Sequence, residues 1–418
     1  MFNNFSIKKN LKYSTIEGSL WAFMYGMGEN FLSALAVFLG FSALQISVLN
    51  SFPQLIGSCL QLFSYFILRK INSVKRFVVL LSLIQSVMWL LLIIILLYYP
   101  YYKIIITWFI IYFLCGYLIS PVWTSWMGYL VPKRIRGNYY GSRNRIINSF
   151  VLIAILIGGF ILKFFDNNLT IGFTILFFMA SIGRFLSTYY LNKKDEIISS
   201  NQNSDNSFVY FLKDKKTLMF IIFKFFINFS VMFLGPLFAI YILRTLGLSN
   251  FILSLCSVSW WLANVFSSRY WGVYSKKNGN LQILKITTII LTILPLMWIS
   301  VYYFSGIYLI ILVIIINLFA GITFSGFSLA SFNLIYELVG KKDVVKFTSL
   351  MHLGEGSAIF VGSILAGSIV DSIYLKNLFL DYNFTSIQFS MLISTILRAG
   401  CFIYFLKLQK QLRYLKIS

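Results

Sequence analysis

The chain has 418 residues, 59% hydrophobic, 19% aromatic and only 11% charged, with a mean hydropathy of +0.82. Soluble proteins carry about 25% charged residues, so the composition excludes a water-soluble globule and is that of an integral membrane protein. The formal charge of +23 is spread between apolar stretches rather than gathered in one patch, which excludes a nucleic-acid surface and makes it a topology signal.

The opening MFNNFSIKKNLKYS is polar and basic, and no short apolar region with a small-residue cleavage site follows it. A cleavable signal peptide is therefore not expected. A bilayer-crossing helix needs about 20 mostly apolar residues. That rule predicts twelve spans, at 17–39, 45–68, 77–99, 103–130, 146–165, 170–191, 218–243, 250–272, 283–304, 307–335, 350–371 and 385–406. No segment alternates with period two, which argues against a β-barrel.

Basic residues crowd every second connection: KKNLK, RKINSVKR, PKRIRGNYYGSRNR, NKKDEI, SKKNGNLQILK, GKKDVVK and the tail KLQKQLRYLK. The alternate connections hold only Lys103, Lys163, Arg244 and Lys376. This bias predicts a multi-pass protein of the plasma (inner) membrane with both termini in the cytoplasm. The polar stretch 192–217, with ISSNQNSDNS, reads as a cytoplasmic linker. It separates a six-span N-terminal bundle, 1–191, from a six-span C-terminal bundle, 218–418. Cys59, Cys115, Cys256 and Cys401 lie far apart, in or beside apolar spans, with neither metal spacing nor a disulfide framework.

The two halves can be overlaid at an offset near 206. RKINSV at 69–74 meets SKKNGN at 275–280. GYLISPVW, from Gly116, meets GITFSGFS, from Gly321, with Ser120 over Ser325. IGRFLSTYYLNK meets ILRAGCFIYFLK, pairing Arg184 with Arg398 and Lys193 with Lys407. An all-α fold of two pseudo-symmetric six-helix bundles follows.

With this duplication the chain resembles the major facilitator superfamily of secondary transporters, over nearly its whole length. The basic loops after spans two and eight keep the family's position and charge, although neither carries the family's acid and only the second has glycines in place, Gly272 and Gly279. PKRIRGNYYGSRNR is similar to the Arg-Gly loop of prokaryotic members. Span five, IAILIGGFILKFF, lacks the glycine–proline pattern of drug–proton antiporters. The resemblance implies alternating access around a central cavity lined by spans one, four, seven and ten, helped by two, five, eight and eleven. It also implies loop or gate roles for Arg69, Lys70, Arg136, Lys276 and Lys277.

Ionised side chains are costly inside a bilayer and usually face a cavity. In span one, Trp21, Tyr25, Glu29 and Ser33 recur every four residues and form one helical ridge. Glu29 reads as a proton carrier or a counter-charge to a cationic group; the alternative is a structural acid paired with a neighbouring helix. Ser120, Trp123 and Thr124 in span four, Asn228 in span seven, Trp261 and Asn264 in span eight, and Asn317 and Ser325 in span ten are further cavity candidates. Small and hydroxyl residues are also ordinary helix-packing features. Gly235–Pro236 predicts a helix break in span seven. His352 and Glu355 share a face at the start of span eleven, and a histidine titrates near neutral pH. They are proton-coupling candidates or parts of a solvated gate. Arg184 and Arg398 read as structural braces.

No GxxxxGK[ST], HExxH or GxSxG motif is present, which argues against an enzyme or an ATP-driven pump. The expectation is a transporter of a small organic solute, proton-coupled through Glu29, with uptake preferred. It needs no cofactor, metal or nucleic acid, and works as a monomer in the lipid bilayer with protons or another ion as co-substrate. An uncoupled uniporter or exporter of an amphipathic or cationic solute is the first alternative. A non-transporting receptor or scaffold is the second.

Overall fold

The computed structural model describes residues 4–62, 73–131, 135–196, 208–339, 343–372, 374 and 384–414. Among these residues there are helices and turns but no strand. In chain order they are α1 (Asn4–Met27), a 3-10 turn (Glu29–Phe31), α2 (Leu32–Phe38), α3 (Ala43–Leu62), α4 (Val74–Tyr98), α5 (Tyr102–Leu130), α6 (Arg136–Phe164) and α7 (Leu169–Asn192). After the central loop come α8 (Phe208–Lys213), α9 (Lys215–Met232), α10 (Leu237–Ile240), a π turn (Tyr241–Thr245), α11 (Asn250–Asn278), α12 (Asn280–Val301), α13 (Gly306–Leu338), α14 (Val344–Asp371) and α15 (Ser386–Tyr414). Ten described stretches are long and apolar enough to cross a membrane. The first predicted span is shared between α1 and α2, and the second is described only through Leu62.

Local chemistry sets several of the helix starts. Ser73, Asn168 and Asp214 each accept a hydrogen bond from the backbone N–H three residues on, the N-cap arrangement that satisfies an otherwise orphaned donor. Side-chain polarity is inverted relative to a soluble bundle. On α4 the exposed stripe is apolar (Leu80, Leu83, Val87, Leu90, Ile94), whereas Ser82, Gln85 and Ser86 are buried. Lipid solvates the first face, and the second finds hydrogen bonds inside.

The chain forms two compact units. The first is Met1–Leu39, Ile56–Gln202 and Ser249–Ser254; the second is Gly40–Leu55, Asn203–Leu248 and Leu255–Ser418. In the first, α1 lies in the angle between α6 and α7, with α4 against α5 and α7. In the second, α9 packs on α14 and α15, and α12 packs on α13 and α15.

Two helices are interrupted. α1 stops at Met27, and Glu29–Phe31 form the 3-10 turn before α2 begins. A Cβ on Gly28 would lie 2.6 Å from Cζ2 of the fully buried Trp89, so only glycine admits this close approach. The continuous ridge Trp21–Tyr25–Glu29–Ser33 expected from spacing is cut between its second and third members. In span seven α9 ends at Met232, and Pro236 caps α10. Proline has no N–H to give to the carbonyl four residues back, and Ser363 Oγ donates to that Met232 carbonyl instead, at 3.5 Å. In the repeat register Glu29 falls opposite Gly235 or Pro236. Both interruptions fall near one position of that register, and they arise by different means.

Proline also explains one arginine. Pro295, inside α12, leaves the Leu291 carbonyl without its helical donor. Arg398 Nη1 donates to that oxygen at 2.7 Å.

Segment 40–55 packs wholly within the second unit. The Asp371 carboxylate, ending α14, accepts from the Ala43 N–H at 3.1 Å and the Leu44 N–H at 2.7 Å. It caps the start of α3 from far along the chain, and beside it Arg244 Nη1 donates to the Phe41 carbonyl at 2.7 Å. Losing such a cap costs about 0.5–2 kcal/mol. Thermal midpoints in detergent should therefore rank wild type above Asp371→Asn, and Asp371→Asn above Asp371→Ala. Identical midpoints would show that the cap contributes nothing.

Candidate functional site

Three polar clusters stand out, two in the first unit and one in the second. The first surrounds Glu29. Released from helical register by the turn, its Oε1 accepts from the Tyr112 hydroxyl at 2.7 Å. Tyr25 and Tyr117 lie within electrostatic reach of the carboxylate, as does Arg184. Tyr112 is held by aromatic packing: Trp108 stacks on it at 4.8 Å and Trp89 meets it edge-on at 5.0 Å. Arg184 is buried behind them, donating through Nε and Nη2 to Gln85 Oε1 at 3.1 and 2.6 Å and through Nη2 to Ser82 at 3.0 Å. Gln85 in turn donates to the Tyr112 carbonyl at 3.1 Å. The half-buried Glu29 is thus an acid with a tyrosine donor and a fixed cation behind it.

The second cluster is a buried ionic knot. One oxygen of Glu17 takes three donors: Lys194 Nζ at 2.9 Å, the Trp123 indole at 3.1 Å and Arg143 Nη2 at 3.4 Å. The Arg143 guanidinium also covers the Trp123 ring at 4.8 Å. Lys194 lies 5.1 Å from the Trp126 ring. Burial draws its ammonium below lysine's ordinary range, and Glu17 opposes that drift. Asn10 and Asp195 close the knot with reciprocal hydrogen bonds of 2.7 and 2.9 Å.

In the second unit Glu355 bridges two bases. Lys224 Nζ lies 2.9 Å from Oε1, and His352 Nδ1 lies 3.3 Å from Oε2. The His352 side chain is 56% exposed, whereas those of Lys224 and Glu355 are 13% and 18%.

The remaining predicted residues divide between these clusters and local bonds. Trp123 belongs to the Glu17 knot. Ser120 and Thr124 are exposed, and Thr124 bonds to the Ser120 carbonyl. Ser33 is half-buried in α2. Asn228 and Asn317 donate to carbonyls one turn back, those of Lys224 and Val313. Ser325 joins α13 to α11 through the Asn264 carbonyl at 3.0 Å. Trp261 is half-buried, edge-on to Trp260 at 5.3 Å. Lys276 and Lys277 are exposed in the last turn of α11. Arg136 opens α6, with its side chain outside the described atoms, and Arg69 and Lys70 lie outside the described residues.

Tyr112, Gln85, Glu17, Arg143 and Lys194 were not among the sequence candidates. The four-residue spacing carried a usable signal for two of them. The ridge of span one extends back from Trp21 to Glu17, and that of Gly116, Ser120 and Thr124 extends back to Tyr112.

The family model of the Major Facilitator Superfamily matches residues 18–327. The chain belongs to the Major Facilitator Superfamily. Its fold is similar to that of a mutant form of the nucleoside transporter NupG at a TM-score of 0.76 and 12% identity, covering 95% of this chain and 99% of that one. A bacterial homologue of the iron transporter ferroportin, in an inward-facing state, matches at 0.70 and 13%, covering 97% and 99%. A bacterial homologue of the human lysosomal transporter Spinster matches at 0.72 and 13%, covering 96% of each chain. No curated protein matches the sequence. As a member of the superfamily the chain is a multi-pass membrane transporter rather than an enzyme.

Proposed function

We infer that the chain is a secondary transporter that moves a small organic solute by alternating access, coupled to protons through Glu29. The reading has twelve spans in two six-helix halves, 1–191 and 218–418, joined by a cytoplasmic linker, with both termini cytoplasmic in the plasma membrane. One observation carries it: Glu29 sits at the interruption of span one, opposite in the repeat to the interruption of span seven. Discontinuous helices are where transporters place substrate and ion sites. Glu29 has a tyrosine hydroxyl to share a proton with and a cation behind it to balance its charge. Import is the direction proposed, because span five lacks the antiporter pattern. Lys224, Glu355 and His352 form the second titratable group of this reading. Lys224 and His352 both pair with Glu355, and His352 has the most exposed side chain of the three.

A second reading has support of its own. Tyr25, Tyr112 and Tyr117 around a carboxylate also suit a cationic solute, which aromatic faces attract. In that case Glu29 is a counter-charge and transport is uncoupled.

Solutes found by comparing the metabolites of cells with and without the chain supply the substrate for a proteoliposome assay. Wild type is expected to accumulate solute when a proton gradient is imposed. Glu29→Gln is expected to keep solute exchange while losing accumulation. If Glu29→Gln instead weakens binding of a cationic solute and wild-type flux ignores the gradient, the second reading holds. Gradient-driven flux unchanged in Glu29→Gln removes Glu29 from the mechanism, and failure of counterflow with every candidate would favour a receptor or scaffold.

A further inference from the structure

A groove of about 260 Å³ runs along the outer surface of the first unit between α4 and α5. Leu91 and Ile95 of α4 and Ile104 and Ile111 of α5 form its apolar walls, and Trp108 forms its floor. Lys103, near the start of α5, closes one end and has no ion pair among the described residues. The groove is smaller than the roughly 300–1,000 Å³ pockets that enclose compact solutes, and its walls face outward: Leu91 and Ile111 are each 42% exposed. Both helices are membrane spans.

The connection between them gives the depth. It reads YYPYYK at 98–103, and Tyr98, Tyr99 and Tyr101 are all exposed. Exposed tyrosines at the end of a span mark the headgroup level. Lys103 therefore stands among phosphates, and the groove below it runs into hydrocarbon. We propose that this groove is a site for one glycerophospholipid, with an acyl chain against Trp108 and the phosphodiester on Lys103.

The floor links this site to the transport site. The Trp108 indole donates to the Met88 carbonyl at 2.6 Å and so ties α5 to α4. Its ring lies almost parallel to that of Tyr112, at 6° and 4.8 Å, and Tyr112 donates to Glu29. A seated acyl chain backs the stack that orients the carboxylate. An empty groove lets Trp108 relax outward and loosens the Tyr112–Glu29 bond. This second step rests on the transport reading of Glu29; the lipid site itself does not.

Native mass spectrometry of the full chain from mild detergent tests the site apart from transport. The probes are phosphatidylglycerol and a diacylglycerol of the same chains, which lacks the phosphate. Wild type should retain one phosphatidylglycerol in preference to diacylglycerol. Lys103→Ala should lose that preference. Leu91→Trp, an apolar change on a lipid-facing wall, should fill the groove and abolish retention of both. Equal retention by wild type and Lys103→Ala, or full retention in Leu91→Trp, overturns the proposal. So does a dimer that Leu91→Trp dissociates, which would make the groove an interface between copies. If lipid retention follows the expected pattern while flux is unaffected by Leu91→Trp, the lipid site stands and its link to Glu29 falls.

Discussion

Glu17→Gln is expected to destabilise the first unit by about 3–5 kcal/mol, the cost of removing one partner from a buried ion pair. One carboxylate oxygen holds an ammonium, a guanidinium and an indole N–H, and the Lys194 side chain is fully buried. Neutralising the acid leaves two cations facing each other across an amide in low dielectric. The melting midpoint should fall by on the order of 10 °C, as read by fluorescence-detected gel filtration after heating. The remedy separates lost charge balance from lost shape. Glu17→Gln combined with Lys194→Met removes the stranded ammonium and should recover a large part of the loss, because apolar residues of similar volume replace buried ion pairs well. A single variant that melts with the wild type would show that the knot is not a structural tie.

Gly28→Ala is expected to be the most damaging conservative change near Glu29. Its methyl group would enter the Trp89 ring, and Trp89 has nowhere to move, wedged against Trp108, Tyr112 and Phe177. Overpacking of this kind costs about 1–3 kcal/mol. The larger effect should be functional, because relief comes most easily by shifting the 3-10 turn, which carries Glu29 away from Tyr112. The prediction is a modest drop in melting temperature with a severe loss of gradient-driven flux. Trp89→Phe removes the ring atoms that clash, so the double variant Gly28→Ala/Trp89→Phe should be better than the sum of its parts, with a coupling of about 0.5–3 kcal/mol. Additive losses would locate the damage elsewhere.

The membrane class, the all-helical fold and the family were legible because they rest on composition, on spans of about 20 residues and on an order of motifs repeated across the halves. These signals are summed over many residues and survive local error. The interruption of span seven was legible too, since proline removes a donor whatever surrounds it. The interruption of span one was not. Nothing in GMGENFLS forbids a helix, and the tryptophan that makes glycine necessary at position 28 stands 61 residues later in the chain. Glu17 was missed for a related reason. At the predicted edge of the bilayer an acid reads as solvated, and its burial depends on Arg143 and Lys194 arriving from other parts of the chain. Arg398 was read as a brace, but its carbonyl partner is exposed by a proline on another helix.

The Asp371 cap on α3 has a consequence for biogenesis. Leu44 and Asp371 are 327 residues apart. At synthesis rates of about 5–20 residues per second, the N–H groups that open α3 emerge roughly 15–65 seconds before the carboxylate that satisfies them exists. During that interval this end of the helix must borrow partners from water, lipid headgroups or the insertion machinery. Ribosomes stalled short of residue 371 should therefore carry a nascent chain whose residues 40–44, ahead of the second span, are still open to proteases or to a chaperone, and these residues should become protected only as the last spans are released.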